Sequence, residues 1–249
     1  MRRYLSLIVA CLIALTAPVL ADNFSPAQKT QIEKIVKDYL MTHPEVLRDM
    51  AAALDASDKK TADNARGQVM ASNAKEIYHS SFDGIAGNPK GDVTIVEFMD
   101  YNCGWCRKGV VEMQSLVKSD PNVRVIMKEF PIFGEGSEYA AKAAMASAKQ
   151  GKYWEFHQAL FATQGKVTAE VTDQVAQEVG LDVAKMKADM ADPAIEAQIQ
   201  KTSQLAQSLQ LTGTPAFVID KKVYPGYIQL PEMQASLADV RAKGGCQLC

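Results

Sequence analysis

The sequence predicts an α/β fold in which a strand–helix–strand unit and a strand–strand–helix unit are separated by a helical insertion. The near-continuous β-branched run Val93–Met99 is typical of a strand covered on both faces. An amphipathic helix at 103–118 and a second apolar strand at 123–130 follow it, which indicates a parallel pair joined by a crossover. The insertion spans about residues 135–211, far longer than an ordinary loop. The second unit comprises strands 216–219 and 223–224 and a helix at 231–241.

Composition excludes several classes of protein. The chain has 249 residues and a formal net charge of −2, so it lacks the Lys and Arg excess of a nucleic-acid-binding protein. Its 15 Gly and 10 Pro are too few for a collagenous or mostly disordered chain. Five cysteines are too few for a disulfide-rich scaffold, and each must be interpreted by its position.

The first residues have the pattern of a secretory signal peptide. A basic start at Arg2 and Arg3 is followed by an apolar stretch, and small residues favour cleavage after Ala21. A lipoprotein signal ending at Cys11 is the alternative, but it leaves an apolar core of only six residues. Export places the other four cysteines in a compartment where disulfides persist.

Residues 22–81 are predicted to form a helical arm and connector. Ser25, Pro26 and Gln28 make a helix start with a capping box, and an apolar stripe follows at helical spacing. The His43-Pro44 pair interrupts this helix before a second amphipathic one. From residue 55 to about 81 the chain is polar, and either a connecting helix or a flexible arm fits it. Two such short helices bury little on each other, so residues 24–56 either pack on the main domain or form a homo-oligomer, which we favour because the connector is long.

The chemistry is predicted to lie in the dithiol Cys103-Gly104-Trp105-Cys106, where a buried strand ends and a helix begins. The unpaired amides and the dipole of a helix N-terminus favour an anion, so the pKa of Cys103 is expected below that of a free thiol. Cys106, one turn inside the helix, is placed to resolve a mixed disulfide. A zinc site uses the same spacing but needs further ligands, and the nearest candidates are the distant Cys246 and Cys249.

Three features together carry a family resemblance: the string VEFMDYNCGWC, the helical insertion and the later TGTPAF. Over residues 82–243 the chain resembles the DsbA-like thiol:disulfide oxidoreductases of the thioredoxin superfamily. Its arm is similar to that of the oligomeric ScsC-like branch. The resemblance implies a thioredoxin fold with a helical insertion, preceded by an oligomerisation arm.

The resemblance also implies roles for individual residues. Cys103 becomes the exposed nucleophile and Cys106 the resolving thiol. Glu97 matches the buried acid that moves the proton between thiol and thiolate, although a carboxylate on a strand surface is the simpler interpretation of an acid in a strand. Pro215 matches a cis-proline beside the dithiol, where the backbone pairs with substrate, and Thr214 precedes it.

Two sequence differences from the archetypal oxidase of this family favour isomerase or reductase activity. Gly104-Trp105 replaces a Pro-His pair, and loss of that histidine weakens the thiolate and makes the disulfide less oxidising. Thr214 is shared with isomerases and the ScsC-like branch, whereas the strong oxidase has valine there. Trp105 serves either as an apolar contact for unfolded clients or as a lid over Cys106.

Cys246 and Cys249 form a second CxxC on a flexible tail, residues 244–249, that follows Gly244 and Gly245. Three interpretations remain open: an idle disulfide, a tethered relay to Cys103–Cys106, and a soft-metal site for Cu(I).

The sequence therefore predicts a periplasmic disulfide oxidoreductase/isomerase that acts on unfolded or misoxidised exported proteins. The resemblance implies a membrane redox partner of the DsbD/ScsB or DsbB type. We expect no metal, nucleotide or other cofactor beyond the redox-active disulfide, because no glycine-rich phosphate loop follows any strand. The alternative is a non-catalytic periplasmic thiol protein that binds copper or holds clients.

Overall fold

The structure is a computed structural model that describes residues 24–249. The predicted signal peptide and Cys11 lie outside the described residues. The chain divides into two compact units, one ending at Thr61 and the other running from Ala62 to Cys249. The predicted boundary between residues 81 and 82 therefore differs from the one observed.

Helices make up most of the regular structure in the described residues. In chain order they are α1 (Pro26–Thr42), α2 (Pro44–Ser72), α3 (Ala74–Tyr78), α4 (Gly104–Ser119), α5 (Glu135–Ala148), α6 (Tyr153–Ala162), α7 (Ala169–Glu178), α8 (Val183–Met190), α9 (Pro193–Ser208) and α10 (Leu230–Ala242). The strands are β1 (Gly84–Gly87), β2 (Val93–Met99), β3 (Val123–Glu129), β4 (Ala216–Ile219) and β5 (Lys222–Tyr224).

Helix α1 begins as its sequence predicts. The Ser25 hydroxyl accepts the Gln28 amide at 3.3 Å, and the Gln28 side chain accepts the Ser25 amide at 2.9 Å. None of its residues is buried, so the apolar stripe predicted for this helix is exposed. Of the two predictions for the polar connector, the helical one is confirmed, because α2 continues for 29 residues to Ser72.

The last turns of α2 and the short helix α3 belong to the globular unit. Met70, Ile77 and Tyr78 are buried against the sheet in a cluster that includes Phe98 and Val218. Six small or polar residues separate Met70 from the adjacent pair Ile77 and Tyr78. Their spacing is too sparse to distinguish a docked helix from a solvated connector, which is why the sequence placed the domain boundary too late.

Five strands form one mixed sheet in the order β1-β3-β2-β4-β5. β2 and β3 are parallel, as predicted, and the other neighbours are antiparallel. Side chains of β2 alternate between two core clusters, so every residue of the strand is buried. The sequence did not predict β1, a short edge strand whose Gly84 lies so close to the Tyr153 ring that a Cβ atom there would overlap it.

The insertion forms five helices, α5–α9, within the predicted range. Helices α4 and α10 cover the sheet face that carries Ile95 and Met99, together with insertion helices. This arrangement places the start of α4, at the end of β2, beside the start of β4.

Candidate functional site

Three polar residues between β2 and α4 anchor the loop that presents Cys103. The Asp100 carboxylate accepts the backbone amides of Asn102, Ile132 and Phe133 at 2.7, 2.7 and 3.0 Å. It also accepts the Ser137 hydroxyl at 2.7 Å. With these bonds, one buried carboxylate joins the loop to the start of the helical insertion.

Asn102 and Tyr101 add further anchors to the same loop. The Asn102 side chain exchanges hydrogen bonds with the backbone of Val167, at 2.8 and 3.0 Å. The Tyr101 hydroxyl donates to Glu129 at 3.3 Å and lies 3.2 Å from the His157 ring nitrogen Nδ1. The sequence predicts only a turn at residues 100–102. A run of polar and aromatic side chains directly after a fully buried strand is the pattern that could have indicated these anchors.

His157 is a core residue. It is 1% exposed, and burial lowers its pKa to about 3, so the ring is neutral at physiological pH. Burial also raises the pKa of Glu129 well above its ordinary value, and the Tyr153 hydroxyl donates to this carboxyl at 2.7 Å. The loop is therefore supported from below by a buried network of hydrogen-bonded polar groups.

Cys103 is the N-cap of α4. Its sulfur accepts the Cys106 backbone amide at 3.3 Å and lies 3.1 Å from the Thr214 carbonyl oxygen, to which it donates a hydrogen bond only in its protonated form. The hydrogen bond from the Cys106 side chain, helped by amides at the helix start, lowers the pKa of Cys103 to about 6 against the opposing effect of burial. This setting favours a thiolate at Cys103.

The expectation of an exposed nucleophile needs correction. Cys103 is only 4% exposed, because the Thr214 carbonyl lies against its sulfur, and Cys106 is fully buried. Burial, the hydrogen bond to Cys103 and the charge of Glu97 all raise the pKa of Cys106. The two free thiols therefore differ mainly in charge: Cys103 is the anion and Cys106 is a thiol.

Glu97 lies on β2 beneath the dithiol. It is 2% exposed, and it pairs in register with Met127 on β3 and Phe217 on β4. A methyl group at Gly109 of α4 would lie 3.3 Å from the Glu97 oxygen Oε1, so the helix packs directly over the carboxyl. Burial, and then the negative charge of Cys103, raise the pKa of Glu97 to about 8. The simpler interpretation, a surface carboxylate, is excluded by this burial.

The Thr214–Pro215 peptide bond is cis and lies beside Cys103. Next to it is a groove of about 390 Å³ lined by Trp105, residues 212–215 and residues 225–227. Trp105 is 55% exposed, with its ring 5.5 Å from that of Tyr227 and the Lys108 ammonium 4.2 Å above it. The Tyr227 hydroxyl donates to Glu112 at 2.6 Å, which fixes this wall of the groove to α4. Sequence reasoning missed both Tyr227 and Glu112, which lie far apart in the chain.

Cys246 and Cys249 are not brought to this site. They are disulfide-bonded to each other, and Cys246 lies 3.5 Å from Asp220, at the opposite end of β4 from Thr214. Within residues 24–249, no group of three or more His, Cys, Asp or Glu side chains is arranged to hold a metal ion.

A first prediction concerns the charge on Cys103. Because the thiolate is the reactive form, its alkylation rate in the reduced protein is expected to rise with a midpoint near pH 6, while Cys106 remains unreactive. Stopped-flow alkylation across pH 4–10, followed by peptide mass mapping, measures both. In the Cys103→Ser protein the fast phase should be lost. A midpoint near ~8.5, the value of an ordinary free thiol, contradicts the assignment.

Models of known protein families match the chain in two regions. The model of the DSBA-like thioredoxin domain matches residues 94–238, and that of the copper resistance protein ScsC N-terminal domain matches residues 28–60. Among the described residues, no helix is long and apolar enough to cross a membrane.

Solved structures show the same similarity. A thioredoxin-like oxidoreductase from Silicibacter pomeroyi is 42% identical and covers 68% of this chain and 97% of its own, with a TM-score of 0.66. BcfH from Salmonella enterica Typhimurium is 28% identical over 85% of this chain and 95% of its own, with a TM-score of 0.69. ScsC from Proteus mirabilis, in a transitional conformation, is 25% identical over 88% of this chain and all of its own, with a TM-score of 0.65.

Curated relatives are of two kinds. The Na(+)/H(+) antiporter NhaA 3 of Salinispora tropica is 26% identical over 66% of this chain, which spans about a quarter (26%) of that protein. The probable disulfide bond formation protein D of Bacillus anthracis is 27% identical over 58% of this chain and 73% of its own length. Since the domain match covers more than half of the sequence and includes the CGWC dithiol, the chain belongs to the DsbA-like thioredoxin family of thiol–disulfide oxidoreductases, in its ScsC-like branch.

Proposed function

We propose that the protein is a periplasmic thiol–disulfide oxidoreductase and isomerase that acts on unfolded or misoxidised exported proteins. The observation that carries the proposal is the position of the Cys103 sulfur, which lies at the start of α4 next to the Thr214–Pro215 backbone and close to the groove lined by Trp105 and Tyr227. An extended client segment in that groove would bring its disulfide to the Cys103 sulfur.

The chemistry follows from the difference between the two sulfurs. The Cys103 thiolate attacks one sulfur of a client disulfide; the client S–S bond breaks, a mixed disulfide forms, and the other client sulfur leaves as a thiolate. In isomerisation, another client thiolate attacks the mixed disulfide and regenerates Cys103. In reduction, Cys106 loses its proton and attacks the Cys103 sulfur, which releases the reduced client and leaves Cys103–Cys106 as a disulfide.

The surroundings of the Cys103 sulfur support the isomerase and reductase directions. The positive charge of Lys108, two residues after the CGWC motif, lies over the Trp105 ring. The thiolate is therefore stabilised by hydrogen bonds rather than by a neighbouring cation, and a moderately stabilised thiolate corresponds to a less oxidising disulfide. A membrane reductase of the DsbD/ScsB type would keep such a pair reduced, whereas a partner of the DsbB type would oxidise it.

Trp105 fits the role of client contact better than that of a lid. More than half of its surface is exposed, and its ring forms one wall of the groove with Tyr227. An apolar side chain of an unfolded client can bury against these rings, whereas a folded client exposes few such side chains.

The second prediction tests the function directly. The Cys106→Ser protein, which has no resolving thiol, is expected to accumulate a mixed disulfide between Cys103 and a scrambled client, because the first attack proceeds and the second cannot. Non-reducing electrophoresis and mass mapping identify the linkage, while the unaltered protein should reduce insulin and refold the scrambled client.

The Cys103→Ser protein is the matched control and should do neither. If no mixed disulfide is trapped and insulin is not reduced, while the dithiol binds Cu(I) tightly, the protein belongs to the non-catalytic, copper-binding class instead.

The third prediction concerns Glu97, which we propose takes the Cys106 proton. In the mixed disulfide the Cys103 charge is gone, which removes one of the two causes that raise the pKa of Glu97. The release of client is therefore expected to speed up with rising pH, with a midpoint below about 8, the pKa of Glu97 when Cys103 is charged. Glu97→Gln should slow release about 100-fold, the lower end of what positioned acid–base groups supply, and abolish this pH dependence.

Rapid-quench measurement of client release gives both quantities. Glu138→Gln, a change of the same kind at an exposed position on α5, is the control and should leave the rate unchanged. An unchanged pH profile in Glu97→Gln would remove Glu97 from the proton transfer.

We also propose that residues 24–56 assemble copies of the chain. Between α1 and the start of α2 lies an apolar groove of about 550 Å³, lined by Ile32, Glu33, Val36, Lys37, Leu40, Met41 and Leu47. Large apolar side chains such as Ile35, Leu47 and Met50 are more than half exposed. An exposed stripe of this kind is typical of a self-association surface, and the ScsC N-terminal domain match at residues 28–60 covers it.

The fourth prediction tests this assembly. Val36→Glu introduces a charge into the groove, so the molar mass in solution is expected to fall to that of a monomer. Size-exclusion chromatography with light scattering measures the mass. Lys34→Glu, a change on the opposite face of α1, should preserve the oligomer, and a monomeric unaltered protein would contradict the proposal.

A further inference from the structure

The second CxxC is held against the globular unit rather than extending from it as the predicted flexible tail. The Asp220 oxygen Oδ1 accepts the backbone amides of Gln247 at 2.9 Å and Leu248 at 3.2 Å. Lys221 also binds the Gln247 side chain. Gly244 and Gly245, with φ of 94° and 98°, turn the chain back after α10, which is a conformation that glycine adopts without strain.

The segment also covers apolar side chains. Leu248 and Cys249 pack against the smaller core cluster, which contains Met70 and Tyr78, and Cys246 packs against the larger one. The Tyr78 hydroxyl donates to the Asp220 carbonyl oxygen at 2.5 Å. The Asp220 side chain therefore binds the second CxxC, and the Asp220 backbone carbonyl binds Tyr78 of helix α3.

The two cysteine pairs lie at opposite ends of β4. Thr214, before β4, contacts the Cys103 sulfur, whereas Asp220, after β4, contacts Cys246. Asp220 is six positions after Thr214 along nearly extended chain, which corresponds to roughly 20 Å. Disulfide exchange needs two sulfurs in direct contact, so the docked Cys246–Cys249 pair cannot exchange with Cys103 of the same chain.

The electrostatic settings of the two pairs also differ. In each, the first sulfur accepts the backbone amide of the second cysteine, at 3.3 Å in Cys103 and 3.2 Å in Cys246. Cys103 additionally lies at the N-terminus of the 16-residue helix α4, which favours a thiolate. Cys246 instead lies 3.5 Å from the Asp220 carboxylate, which repels a thiolate. Reduction of a disulfide is less favourable where the resulting thiolates are destabilised.

We propose that Cys246–Cys249 is a second thiol–disulfide site, more resistant to reduction than Cys103–Cys106, which fastens residues 246–249 to Asp220 and does not relay electrons to Cys103 of its own chain. A dithiol reductant opens it: the reductant closes its own disulfide, the Cys246–Cys249 bond breaks, and two electrons and two protons pass to the two sulfurs. Breaking the Cys246–Cys249 bond frees the Gln247 and Leu248 amides from the geometry that the disulfide imposes.

The fifth prediction follows from the difference in thiolate stability. Equilibrate the full chain in buffers of reduced and oxidised dithiothreitol, trap thiols by alkylation, and quantify each pair by peptide mass mapping. Half-reduction of Cys246–Cys249 is expected to need at least a tenfold higher ratio of reduced to oxidised dithiothreitol than Cys103–Cys106 needs. If the two pairs are reduced together, or the second pair first, the proposal is wrong.

Asp220→Asn isolates the cause, because asparagine keeps the acceptor oxygen and tolerates the φ of 49° found at this position. The ratio of reduced to oxidised dithiothreitol that half-reduces Cys246–Cys249 should fall severalfold, while the ratio that half-reduces Cys103–Cys106 stays the same. Asp58→Asn, the same charge change on α2, is the control and should alter neither. An unchanged ratio in Asp220→Asn overturns the electrostatic part of the proposal.

The absence of a relay is tested separately with Cys106→Ser, in which Cys103 has no neighbouring thiol. No disulfide between Cys103 and Cys246 or Cys249 is expected within one chain, whether or not client is present. An intrachain link, which migrates as a single chain on a non-reducing gel and is identified by mass mapping, would show that the segment does reach Cys103.

Discussion

The stabilised negative charge at the start of α4 is the interaction on which the rest of the site depends. A sulfur anion at a helix N-terminus is favourable only if the preceding loop holds it there, and Asp100, Tyr101 and Asn102 supply that support. Each of them bonds to β3, to the β3–α5 loop or to the insertion, so the helical insertion acts as the scaffold for the loop before Cys103. Loss of that scaffold would leave the thiolate without a fixed set of donors.

Position on helix α4 then gives the two buried thiols different pKa values. Cys103 and Cys106 are only one helical turn apart, yet the pKa of one is lowered and that of the other is raised. The cause is position: Cys103 faces the amides of the first turn, while Cys106 faces the sheet, where Glu97 lies among apolar neighbours. The same low-polarity setting, with the charge of Cys103, raises the pKa of Glu97 to about 8.

The second cysteine pair shows how the same motif acquires a different chemistry from its surroundings. Both pairs have the CxxC spacing and the same amide-to-sulfur hydrogen bond. One lies at a helix start beside a groove, and the other beside the Asp220 carboxylate on the turn between β4 and β5. Spacing therefore defines which sulfurs can pair, whereas the neighbouring charges decide which of them reacts.

The sequence by itself determined the α/β order, the capped start of α1, the parallel β2–β3 unit and the dithiol, since these depend on local periodicity and on residues close together in the chain. Family resemblance further predicted the burial of Glu97 and the cis bond before Pro215, both of which the structure has. Tertiary structure alone decided that β1 pairs with β3, that Met70 and Ile77 join the globular unit, that Tyr227 and Glu112 shape the groove, and that the second CxxC docks on Asp220. These features rest on contacts between residues far apart in the sequence, and neither composition nor periodicity specifies which distant side chains will meet.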